Sequence, residues 1–78
     1  MSMETKIIIN MADIQKRLRE AIKLSGRSQK EIAEAIGVSP QTVSKYMRED
    51  IFPALDTLAK LCIYLEVSAD SILGINSD

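Results

Sequence analysis

The 78-residue sequence has no histidine and a single cysteine, Cys62. Without imidazoles and with one thiol, a tetrahedral N/S zinc site and a Cys–His nucleophile are both out of reach. No Gly-rich phosphate loop is present either. An internal disulfide has no second partner, and Cys62, set in an apolar stretch, is expected to be a small buried hydrophobe. Long apolar runs are missing as well. None approaches the roughly 18 residues of a membrane span, and Ile7 to Ile9 is too short for the apolar region of a signal peptide. Cytoplasmic residence, no membrane partner and no cofactor are therefore expected. Carboxylates remain for acid–base chemistry, but Asp56, Glu66 and Asp70 are spaced as helix-end and surface charges, so no enzymatic activity is expected.

A uniform excess of basic charge is also lacking. The net charge is −1 and the pI about 5.4, low for a chain whose partner is a polyanion. The distribution is uneven, however: residues 1–48 carry a net +4 and residues 49–78 a net −5. Such a dipole turns one basic face toward a polyanion and keeps the acidic half away. It also implies weaker nonspecific binding than a uniformly basic domain gives.

What the chain does have is apolar residues, 46% of the total, recurring at helical spacing. That is too many for a disordered tail and enough for one small domain of marginal burial. Two helix starts lie within twelve residues. Ser28 with Glu31 forms a capping box, opening a helix at about Gln29 with Ile32, Ala33 and Ile36 on one stripe and Gly37 at its end. Ser39 followed by Pro40 opens a second helix, from Pro40 to about Met47. It buries Val43, Tyr46 and Met47 and leaves Gln41, Thr42, Ser44, Lys45 and Arg48 outside.

Three further helices complete the reading. Asn10 caps the first, which runs to about Leu24 or Ser25 with Ile14, Leu18, Ala21 and Ile22 on one face. Lys16, Arg17, Arg19, Glu20 and Lys23 form its solvated face. Arg27 and Lys30 flank the start of the next helix, where free amides favour a phosphate. After Pro53 a helix from about Ala54 to Leu65 carries Leu55, Leu58, Ala59, Leu61, Cys62 and Leu65, a stripe wide enough to make it the expected centre of core packing. Ser68 caps a short last helix, Ala69 to Leu73, stopped by Gly74. The expected organisation is residues 1–10 as a leader or an arm, 11–75 as the domain and 76–78 as a tail. The arm alternatives are a strand paired with a second copy and a segment lying along a polyanion. Ile51, Phe52, Ile72 and Ile75 exceed what so small a core needs and are candidates for a dimer patch.

With Gln29 as first position, Ala33 stands fifth, Gly37 ninth, Val43 fifteenth and Tyr46 eighteenth. In this, the segment Gln29 to Arg48 resembles the helix-turn-helix of the phage-repressor family (lambda repressor, Cro and their XRE-type relatives), and the likeness extends over about residues 12–74. The resemblance implies an all-α, compact five-helix, lambda-repressor-like domain acting as a sequence-specific transcriptional regulator, foremost a repressor. It implies double-stranded DNA as partner, the second helix of the motif in the major groove, and a symmetric homodimer on a palindromic operator. Gln41, Thr42 and Lys45 are then the candidates for base contacts, the Gln41 amide matching adenine N6 and N7. Gln29, Lys30, Ser44, Arg48 and Arg27 are candidates for the DNA backbone, which positions without specifying.

Several positions depart from the family. Ile22 stands where many relatives carry Arg, Pro40 where some use a base-reading polar side chain, and Glu49 and Asp50 where a Gly and a basic residue are common. Two other readings keep the fold: an antitoxin or adaptor working through a protein partner such as a basic toxin, and the DNA-binding part of a longer repressor with a separate sensor domain.

Overall fold

The computed structural model describes residues 6–48 and 51–75, and among these the regular structure is entirely helical. Five helices follow in order: α1 (Met11–Leu24), α2 (Gln29–Ile36), α3 (Pro40–Arg48), α4 (Leu55–Leu65) and α5 (Ala69–Leu73). Among the described residues no helix is long and apolar enough to cross a membrane. Expectations for Glu49, Asp50 and the chain ends, residues 1–5 and 76–78, lie outside the described residues.

The helix boundaries follow local chemistry. Asn10 accepts the Asp13 amide at 3.2 Å and opens α1. In the Ser28–Glu31 box each side chain accepts the other residue's amide at 3.0 Å. Ser68 accepts the Ser71 amide at 3.0 Å and opens α5. Gly37, at φ +79°, closes α2 in the left-handed region that side chains resist. Ala54, behind Pro53, opens α4 without a side-chain cap, so that helix begins at Leu55. Its other end is unusual: Glu66 takes φ +57° with no glycine to ease it, and its amide and that of Val67 close the last turn on Ile63 and Cys62.

The core is assembled chiefly by α1, α2 and α3. Leu18, Ile22, Ile32, Ala33, Ile36 and Val43 are almost fully buried, with Tyr46 and Met47 close behind. α2 packs on both α3 and α4, α1 on α3 and α5, and α4 on α5. This corrects the expectation that α4 is the central packing element. Of its apolar stripe only Leu61 is fully buried; Leu58, Cys62 and Leu65 are half-buried and Ala59 is exposed. Leu55 and Ile63 stand 85% and 79% exposed. A wide stripe on an edge helix splits between two neighbours and solvent, here α2, α5 and water, and hydropathy alone does not separate that from a buried position. Burial pushes the Cys62 thiol pKa up, which favours the protonated thiol in its half-buried place against the core.

Two residues expected on the solvated face of α1 are half-buried instead. The Arg17 guanidinium donates to the carbonyls of Ile72 at 2.8 Å and Leu73 at 3.2 Å, closing the C-terminus of α5. Gly74 follows at φ +73°, and a side chain there would run into that guanidinium. Arg19 reaches the Met47 carbonyl at 3.3 Å. Ile72, a candidate for the dimer patch, is only 2% exposed and belongs to the core: on α5 it points back at α1, beneath the cover that Arg17 completes.

The Ser28 amide, then its hydroxyl, with Arg27 adding, hold the Glu31 carboxyl below its ordinary value of 4.5. A depressed folded-state pKa means that the carboxylate half of the capping box stabilises fully above the ordinary value and loses its effect as pH falls through the lowered one, while the Ser28 hydroxyl keeps the Glu31 amide. Carbonyl-detected NMR titration is expected to place Glu31 below 4.5. Ser28→Ala should raise that midpoint and cost about 1 kcal/mol of stability at neutral pH. An unchanged midpoint in the variant would show that the hydroxyl adds nothing and that the Ser28 amide, which alanine keeps, holds the carboxyl down.

Candidate nucleic-acid interface

The outer surface of α3 is built by holding the helix at both ends. At its start Ser39 accepts the Thr42 amide at 3.1 Å, and its hydroxyl and that of Thr42 lie 2.9 Å apart in a hydrogen bond. The Ser39 carbonyl takes the amides of Thr42 and Val43. Pro40 has no amide to satisfy at this position. At its end the last-turn carbonyls are taken by α1: the Gln15 amide nitrogen donates to Tyr46 O at 3.1 Å and Arg19 to Met47 O. Gln29 of α2 lays its amide nitrogen 3.3 Å from Met47 Sδ. A cation at a helix C-terminus also suits the helix dipole.

Gln15 is the functional support that sequence reasoning missed. It is a buried polar side chain standing three residues before Leu18 and seven before Ile22, on the apolar stripe itself. A polar residue at a stripe position is the signal that could have marked it. Burial, with Asp56 adding, raises the Tyr46 phenol pKa, so the ring packs as a neutral group.

Between these fixings the proposed base-reading side chains divide. Gln41 and Lys45 are exposed and one turn apart; Thr42 and Ser44 are half-buried, with the Thr42 hydroxyl engaged in the cap; Arg48 is exposed at the far end. Gln29 and Lys30 are exposed on the first turn of α2, and the Gln29–Met47 contact brings that turn to the end of α3 where Arg48 stands. Arg27 is committed elsewhere in part: its guanidinium lies 5.0 Å over the Tyr64 ring and donates to the Tyr64 hydroxyl at 3.3 Å. Ile22 is fully buried.

The chain belongs to the helix-turn-helix family, whose family model matches residues 18–72. It is similar to the HTH-type transcriptional regulator ImmR of Bacillus subtilis, 42% identical over 59 residues that make up 76% of this chain and 46% of the relative. It is also similar to the cryptic phage CTXphi transcriptional repressor RstR of Vibrio cholerae, 31% identical over 61 residues, 78% of this chain and 54% of the relative. The chain thus spans about half the length of the curated relatives it matches. Among solved structures, the SOS-response transcriptional repressor LexA from Eubacterium rectale superposes with a TM-score of 0.74 at 26% identity, covering 92% of this chain and 82% of that one.

The Ser39 cap fixes the first turn of α3. Ser39→Ala is expected to destabilise the domain by about 1 kcal/mol in urea denaturation, with faster amide exchange at Thr42 and Val43. Unchanged protection there would mean that the Pro40 ring alone holds the turn.

Proposed function

We propose that the chain binds double-stranded DNA in a sequence-specific manner as a transcriptional regulator, foremost a repressor, in the cytoplasm. In this reading α3 enters the major groove as part of a symmetric dimer on a palindromic operator. The observation that carries it is the pairing of exposed Gln41 and Lys45 on a helix whose ends are both fixed from within the protein. The Gln41 amide matches the adenine donor–acceptor pair, and Lys45, one turn on, reaches guanine or a phosphate. Thr42 shares its hydroxyl with Ser39 and adds a methyl suited to thymine. Gln29, Lys30, Ser44 and Arg48 hold the DNA backbone, with Arg27 contributing the donors that Tyr64 leaves over. For the dimer, Ile51 and Ile75 are exposed and Phe52 is half-buried.

The greater length of the relatives supports a second reading, in which this domain is the DNA-reading part of a longer repressor and a further domain dimerises or senses a signal. In that case the 78 residues sediment as monomers and still bind a half-site.

Selection from a random duplex pool is expected to return an inverted repeat with half-sites about 34 Å apart. Gln41→Ala should relax the preference at one base pair of each half-site and weaken binding by about 1 to 3 kcal/mol per half-site. The same motif from variant and parent would remove Gln41 from the reading, and indifference to all duplexes at low salt would overturn it.

A further inference from the structure

We propose that the segment Lys6 to Ile9 is an exchange arm: in the dimer, the arm of one copy lies in the apolar groove of the other. This deepens the proposed function and rests on its dimer. The groove, about 210 Å³, runs between α1, α4 and α5 and is lined only by apolar side chains, among them Met11, Phe52, Leu55, Leu58 and Ile72. That volume exceeds the roughly 150 Å³ that admits a benzene ring, so it takes a branched aliphatic side chain.

The occupant is indicated by what stands beside it. Ile7 and Ile8 are 86% and 87% exposed and Ile9 57%, three successive isoleucines in water next to a groove of matching chemistry. Their own groove is awkward to reach. Only Asn10 separates Ile9 from Met11, and Asn10 is held extended at φ −102°, ψ 107° by capping α1, which leads the arm away rather than back. In extended backbone Ile7 and Ile9 share one face and Ile8 takes the other, so an arm passing between two bodies is covered on both sides.

Size sets the strength. At about 100 Å² of apolar surface per isoleucine, two reciprocal arms bring about 600 Å² and the grooves less, which falls short of the roughly 1,000 Å² of a stable specific interface. The dimer is accordingly weak in free solution, and its two contacts are isologous, as a two-fold axis requires.

Sedimentation equilibrium of the full chain without DNA, from micromolar to millimolar concentration, tests this. The parent is expected to self-associate, and Ile7→Asp and Leu55→Asp each to weaken association at least tenfold. Both sites are exposed, and an aspartate at the first position of α4 suits the helix N-terminus, so helical circular dichroism should be unchanged. Mixing the two variants should yield a mixed dimer, tighter than either variant alone, because one intact arm then meets one intact groove. A parent dimer indifferent to both substitutions overturns the exchange and leaves the dimer standing. A monomeric parent overturns both, whether its groove is vacant or holds its own arm, and leaves DNA binding by α3 untouched.

Discussion

The structure turns on how the last turn of α3 is anchored. A helix that offers its outer face to a partner can use only its inner face for packing, and nine residues give it little. Its free carbonyls at the C-terminus are then the place where it would fray. Here two of them are taken by α1, Tyr46 O by Gln15 and Met47 O by Arg19. A buried amide left without its partner costs about 1 to 3 kcal/mol, so Gln15 penalises any displacement of α3 from α1. Apolar contact through Val43 and Tyr46 supplies attraction without direction; these hydrogen bonds fix how far the helix is turned and where along its axis it sits.

The same arrangement changes the meaning of the charge distribution. Of the nine cationic side chains in residues 1–48, Arg17, Arg19 and Arg27 are engaged by carbonyls or by a tyrosine ring. They still contribute to the field of the basic half, but they do not all offer free donors to a phosphate. The guanidinium suits this internal work, since its planar fork can reach two carbonyls at once, as Arg17 does at the end of α5. Lysines and Arg48 are left for the outside, so counting basic residues overstates the grip on a polyanion.

How far the sequence could be read follows from the range of each interaction. Asn10, Ser28 with Glu31, Ser39 and Ser68 act within three residues of themselves, and the helix starts they mark are where the structure has them. α3 runs one residue past the expected Met47. Gln15, Arg17 and Arg19 were not legible as supports because their partners lie 28 to 56 residues away. The weight of α4 and the burial of Ile72 were misjudged for a related reason: hydrophobicity says that a residue prefers cover but not which neighbour provides it. The exposure of Gln41, Lys45 and Arg48 on α3 was legible because the inner positions of so short an amphipathic helix leave little choice for the outer ones, whereas Thr42 and Ser44, also expected outside, are half-buried.

On the proposed reading, the economy of hydrogen bonds on α3 also explains why one copy is insufficient. Pro40 brings no side-chain donor, the Thr42 hydroxyl is shared with the cap, and Ser44 is half-buried, which leaves Gln41 and Lys45 as the exposed polar groups of the first two turns. At about 1 to 3 kcal/mol per bidentate pair, two such residues discriminate among too few base pairs to define a site in a genome. A second copy doubles the discrimination without a new contact to invent. The protein–protein contact need not be strong for this, because the first copy bound raises the effective concentration of the second at the neighbouring half-site. A weak interface then has an advantage: unpaired copies leave single half-sites quickly, and only the full palindrome retains both.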